Sequence, residues 1–145
     1  MHVRSPVSGD REAWGRLYAG YAAFYRVEQS EAMRDKVWSW IHDPAHEVRG
    51  FVAEDQGHLV GLAHFRPFAR PLSASTGGFL DDLFVDPEAR GTGAAEALLA
   101  AVKAEGQARG WSVIRWITAE DNYRARSLYD RLAEKTRWAT YDIRL

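Results

Sequence analysis

Apolar positions recur along the chain with two different spacings, and the switch between them marks out the elements. From Arg11 onward Trp14, Leu17, Tyr18, Tyr21, Phe24 and Tyr25 recur every three or four residues, the period of an amphipathic helix. Ser30 caps a second helix with Met33, Val37, Trp38 and Ile41 on one face, and Asp43-Pro44 ends it. His2 to Arg4, stopped by Ser5-Pro6, reads as a short first strand. Arg49 to Glu54 and His58 to Phe68 read as strands of a hairpin turned by Asp55-Gln56-Gly57. Arg66 to Gly78 is rich in Pro, Ser, Gly and Arg and predicts a loop over the sheet edge. Leu80 to Val85 is the next strand, and Thr92 to Arg109 is a helix stopped by Gly110. Ser112 to Thr118 carries the β-formers Val113, Ile114, Trp116 and Ile117. Asn122 to Ala133 places Ala125, Leu128, Tyr129 and Leu132 on one helix face, and Trp138 to Leu145 predicts a closing strand.

The order is β-α-α-β-β-β-α-β-α-β. Its first half is hairpin-like and antiparallel, while the strand-helix-strand unit from Leu80 to Thr118 needs a parallel, right-handed crossover. The expectation is a mixed α/β sheet forming a single domain over residues 1–145. With 46% hydrophobic and 27% charged residues the composition is that of a globular protein. A net charge of −1 removes any global attraction to nucleic acid or anionic membrane. The absence of cysteine excludes disulfides, a thiol nucleophile and thiolate metal sites. The N-terminus lacks an apolar signal region, and no run approaches the roughly 20 apolar residues of a membrane span. A soluble, cytoplasmic protein is expected. His42 and His46 are separated by Pro44 and read as surface residues, so no metal is expected. Trp14, Trp38 and Trp40 read as core or interface residues, and Lys103, Glu105 and Arg109 as a solvated helix face.

The chemistry concentrates between Phe79 and Ala95. Here an apolar strand carries Asp81 and Asp82, stops at Pro87, and leads through Arg90-Gly91-Thr92-Gly93 into a helix. Glycines before a helix let backbone N–H groups converge on one point, the helix N-terminus adds its dipole, and Arg90 adds a full charge. Such a loop suits a pyrophosphate. It lacks the lysine of a Walker loop, and it follows the fourth strand rather than the first strand of a dinucleotide fold. On a regular strand Asp81 and Asp82 point to opposite faces, and only a bulge would bring both to one pocket.

The segment Leu80 to Tyr129 resembles the GNAT superfamily of acetyl-CoA-dependent N-acetyltransferases. Its [Gln/Arg]-x-x-Gly-x-[Gly/Ala] motif is met by Arg90, Gly93 and Ala95, with Gly91 as an extra glycine and Val85-Asp86-Pro87 as lead-in. Its Asn-x-x-Ala-x-x-Leu-Tyr motif is met by Asn122, Ala125, Leu128 and Tyr129. Within the superfamily, Leu80-Asp81-Asp82-Leu83-Phe84-Val85 resembles a strand of the diamine (spermidine/spermine) acetyltransferases, with Asp81 in place of a glutamate. The strand Trp116-x-Thr118 with Asn122 and Leu128-Tyr129 resembles the yeast-type histone/polyamine and D-amino-acid branch.

The resemblance implies the acyl-CoA N-acyltransferase fold: a mixed, mainly antiparallel sheet, a parallel pair splayed around the cofactor, and helices on both faces. It implies acetyl-CoA as co-substrate, held by Leu83, Phe84 and Val85 along the pantetheine and by Arg90, Gly91, Thr92, Gly93, Ala94, Ala95 and Glu96 at the pyrophosphate. Asn122, Ala125 and Tyr129 complete the cofactor set. It implies Tyr129 as the acid for the leaving thiolate, Asp81 as base through a water, and Asp82 as a substrate or structural partner. One of Tyr18, Tyr21 and Tyr25 would line the acceptor site. The acceptor would be a primary amine, either a polyamine, an amino acid or a similar small molecule, or a lysine side chain, attacking directly in a ternary complex. The other reading is a CoA-binding regulatory or interaction domain without turnover. A single terminal strand, where many relatives have two, predicts edge completion by a partner subunit, hence a homodimer.

Overall fold

The computed structural model describes residues 1–145. Its sheet has five strands in the order β1 (His2–Arg4), β2 (Arg49–Asp55), β3 (His58–Arg70), β4 (Ser75–Val85) and β5 (Ile114–Arg115). Neighbours from β1 to β4 are antiparallel, and β4 and β5 are parallel. The helices are α1 (Arg11–Phe24), α2 (Glu31–His42), α3 (Ala94–Arg109) and α4 (Tyr123–Leu132).

Strand alternation divides the core between the two sheet faces. Ala53, Ala63, Phe65 and Leu80 pack with Leu98, Leu99 and Val102 of α3. Their sequence neighbours Val52 and Leu62 turn the other way and pack with Trp14 and Leu17 of α1 and Ile41 of α2. Helices therefore cover both faces, as the family resemblance implies. Local signals hold as well: the Ser30 hydroxyl accepts the Met33 amide at 3.1 Å, and Gly110 ends α3 at φ 72°. The His42 ring nitrogens lie 2.9 and 3.2 Å from the carbonyl oxygens of Trp38 and Pro6, so the ring is held between α2 and the segment after β1.

Three expectations need correction. Arg66 to Gly78 is not a loop. Pairing runs from Arg66↔Phe79 to Arg70↔Ser75, so β3 and β4 continue as a hairpin turned at Pro71–Ser73. The partner register of β2 ends at Phe65, so this extension has an open side, where Pro67 lacks no ladder bond it needs. Secondly, β5 is shorter than Ser112 to Thr118, pairing with β4 only as Gly78↔Ile114 and Phe79↔Arg115. At this pair the Trp111 ring packs directly on Gly78, where a Cβ would lie 2.3 Å from it. Past Phe79 the strands part, because β4 has an extra residue there: His64 faces Asp82 while Phe65 faces Leu80, leaving Asp81 as a bulge. A bulge bends and twists its strand, which carries β4 away from β5. Thirdly, Trp138 to Leu145 forms no strand. The segment pairs with no strand of the sheet and lies outward, with Trp138 86%, Tyr141 91% and Ile143 90% exposed. No helix is long and apolar enough to cross a membrane.

Candidate functional site

Where β4 and β5 part, a cleft of about 410 Å³ opens between β4, the loop before α3, α1 and α4. From Leu80 to Val85, β4 has no strand partner on the β5 side, and the Leu83 backbone there faces the Tyr21 phenol. The loop is built by handedness. Gly91 and Gly93 lie at φ 83° and 85°, a region that costs residues with a Cβ, and nothing lies within 4 Å of a Cβ placed on either. The glycines thus serve backbone shape and leave an open face. Gly93 caps α3 with no side-chain bond, so the first-turn N–H groups of α3 have no capping partner. Donors without partners, a positive helix end and Arg90 fit a pyrophosphate.

Of the cofactor-binding residues expected from sequence, Leu83, Phe84, Val85, Arg90, Gly91, Gly93, Ala94, Ala95, Glu96, Asn122, Ala125 and Tyr129 all line the cleft. Thr92 does not; its hydroxyl donates to the Ala89 carbonyl at 2.6 Å and closes the loop from inside. Asn122 is the N-cap of α4, its Oδ1 accepting the Ala125 amide at 3.4 Å, so capping occupies one of its functions. Tyr129 meets Trp116 edge-on with centroids 5.3 Å apart. Burial, with a smaller effect of Tyr25, pushes its phenol up to about 12. The cleft also includes the motif residue Leu128 and, beside it on α4, Arg124 and Arg131, which motif reading did not single out. Their spacing of four and then three residues puts them on one helix face, a signal that was available.

The bulge gives both aspartates to the α1 side of the sheet. On β3, His64 and Arg66 share a face, and each holds one acid. Arg66 Nε donates to Asp81 at 3.0 Å, and the side chain remains 34% exposed. Burial raises the Asp81 carboxyl above its usual range, outweighing the opposing Arg66 guanidinium. Asp81 also lines a crevice continuous with the cleft through Tyr21, Tyr25, Leu83 and Tyr129. Asp82 accepts from the Tyr18 hydroxyl and from His64 Nδ1, each at 2.8 Å. Tyr18 and Tyr21 both have their phenols raised, first by burial and then by the charge of Asp82. The chain has no cluster of three or more His, Cys, Asp or Glu placed to hold a metal.

Residues 14–133 match the Acetyltransferase (GNAT) family. Among curated proteins the chain is 27% identical over 129 residues to the D-amino-acid N-acetyltransferase HPA3 of Saccharomyces cerevisiae, covering 88% of this chain and 80% of that protein. It is 30% identical over 131 residues to the uncharacterized N-acetyltransferase YhfO of Bacillus subtilis, covering 90% and 87%. Among solved structures, the aminoglycoside N-acetyltransferase AAC(6')-Iy in complex with CoA shares its fold, with a TM-score of 0.85 at 21% identity over 99% of this chain and 93% of that one. The family match spans both the glycine loop and the α4 motif, and with the fold it makes this chain a member of the acetyltransferase (GNAT) family.

Proposed function

We propose that residues 1–145 form one N-acetyltransferase domain that moves an acetyl group from acetyl-CoA to a primary amine by direct attack in a ternary complex. The observation that carries this reading is the cleft itself. A glycine loop with free donors, an unpaired length of β4 and a part-buried tyrosine line one opening where the parallel strands have parted. Arg90, Gly91, Gly93 and the first turn of α3 hold the pyrophosphate, with Arg131 opposite them. Leu83 to Val85 bind the pantetheine arm, and a backbone N–H among them stabilises charge on the thioester oxygen. Bound acetyl-CoA supplies an activated thioester.

The chain's own residues handle the protons. An amine near neutral pH is mostly ammonium and must lose a proton before it attacks. Asp81, with its carboxyl raised by burial, receives that proton through a water. Tyr129 keeps its phenolic proton and gives it to the departing sulfur. The named relatives act on D-amino acids and aminoglycosides, which supports a small amine over a lysine side chain as acceptor. We also assign a cytoplasmic location, consistent with a chain free of cysteine, and a homodimer, for which the unpaired terminal segment is the support.

The test is thiol release from acetyl-CoA against polyamines, amino acids of both hands, aminoglycosides and basic peptides. Release that requires both acetyl-CoA and one class of amine is expected. CoA binding without release for any amine would instead favour a regulatory CoA-binding domain.

A further inference from the structure

His64 is the most deeply buried polar side chain, 2% exposed, between the core residues Ala63 and Phe65. A buried imidazole must satisfy two ring nitrogens. Trp14, itself 1% exposed, donates its indole N–H to His64 Nε2 at 2.9 Å. An indole nitrogen can only donate, so Nε2 must be the bare nitrogen and Nδ1 must carry the hydrogen. That hydrogen points at Asp82 Oδ2, 2.8 Å away. Tyr18 donates to the same oxygen, also at 2.8 Å, and its ring meets the imidazole edge-on at 4.7 Å. Donors from α1 and β3 thus converge on one carboxylate oxygen and fix the side chain from two directions.

The other oxygen is free. Asp82 makes its side-chain bonds through Oδ2 only, and the molecule has no buried side-chain oxygen without a partner, so Oδ1 reaches solvent. Asp81 differs in kind, because Arg66 holds both of its oxygens. The groups facing Asp82 are Tyr18 and Tyr21 from α1, His64 from β3, and Asp81 beside it with its Arg66. Of the two acids, Asp82 is therefore the one that is fixed in orientation and still has an oxygen held by no protein donor.

We propose that Trp14, His64 and Tyr18 form a buried positioning relay that aims Asp82, so that its free Oδ1 anchors the ammonium of the acceptor. This rests on the N-acetyltransferase reading of the site. The two acids then have separate roles, Asp82 binding and orienting the charged amine while Asp81 is left to handle its proton. Two donors on Oδ2 hold the carboxylate in one orientation and leave Oδ1 to meet the amine. With Nε2 occupied by Trp14, the imidazole holds the carboxylate and does not carry protons. The acceptor is accordingly an amine that arrives charged.

The relay is read in two ways on the full-length chain. Imidazole nitrogen–proton correlation at pH 7.5 should show His64 in the Nδ1–H form, and an Nε2–H form would overturn the relay. For an amine that the chain acetylates, His64→Leu should raise the KM for that amine about tenfold, the worth of one hydrogen bond to a charged group, with the KM for acetyl-CoA within about twofold of wild type. His64→Asn, which returns a donor near the Nδ1 position, should recover most of that loss. An unchanged amine KM in His64→Leu, or equal losses for both substrates, would overturn the proposal. If the chain binds CoA but acetylates no amine, the functional reading fails and the anchoring role with it. The Nδ1–H form would then still stand for the relay geometry.

Discussion

Tyr129 shows how little a residue's sequence context says until its burial is known. Its motif position marks it as the acid, while helical spacing alone would make it a core aromatic. The structure gives it both properties, packed against Trp116 and open to the cleft. Burial disfavours the phenolate, so the folded-state value lies above that of a free tyrosine, at about 12. The group is protonated throughout the neutral range and loses its proton only as pH approaches that value. Tyr129→Phe should therefore lower kcat by about a hundredfold at every pH from about 6 to 9, leaving the KM for acetyl-CoA nearly unchanged. A kcat equal to wild type would remove Tyr129 from the chemistry. The residues around Asp82 were not legible in the same way. Trp14 to His64 and Tyr18 to Asp82 are separated by 50 and 64 positions, and no local pattern encodes such meetings. Trp14 and Tyr18 were readable as core helix residues and His64 as nothing in particular.

At the level of elements, helices and long strands followed from periodicity, and the errors fell where pairing depends on a neighbour. The Pro- and Gly-rich stretch after Arg66 resembles a loop until β3 and β4 are laid side by side. From the residues alone the bulge at Asp81 could be stated only as a condition, since one extra residue in a strand leaves the sequence pattern almost unchanged; a bulge there was otherwise implied by the family resemblance. The terminal segment is the converse case. Ala139, Tyr141, Ile143 and Leu145 alternate with polar residues as a half-buried strand should, yet the chain offers them no partner. Alternation states that a segment can pair, not which edge it finds. The outer edge of β5 is unpaired as well, and exchange of tails between two copies would satisfy both needs. Light scattering should give twice the chain mass for the intact protein and the single mass after deletion of residues 138–145. A monomer at high concentration for the intact chain would end this assignment.

For the whole molecule, the seam between β4 and β5 matters most. Two residue pairs join them, and beyond those pairs α4 rests on the rest of the fold largely through Leu128 and Tyr129. A region tied this lightly opens more readily than the core sheet. The cleft lies across that seam, with Arg90 and Gly93 on one side and Asn122 and Arg131 on the other. Any ligand touching both sides can bind only the closed form, and so adds its binding free energy to the fold. On the proposed function, CoA at a hundred times its Kd adds about 2.7 kcal/mol, or roughly 5–10 °C in Tm for a chain of this size. No shift at saturating CoA would contradict the assignment of the cleft. A seam of this kind also makes the protein's persistence depend on supply. Where the co-substrate runs short, more molecules stand open to proteolysis, so the amount of enzyme would track the metabolite it consumes.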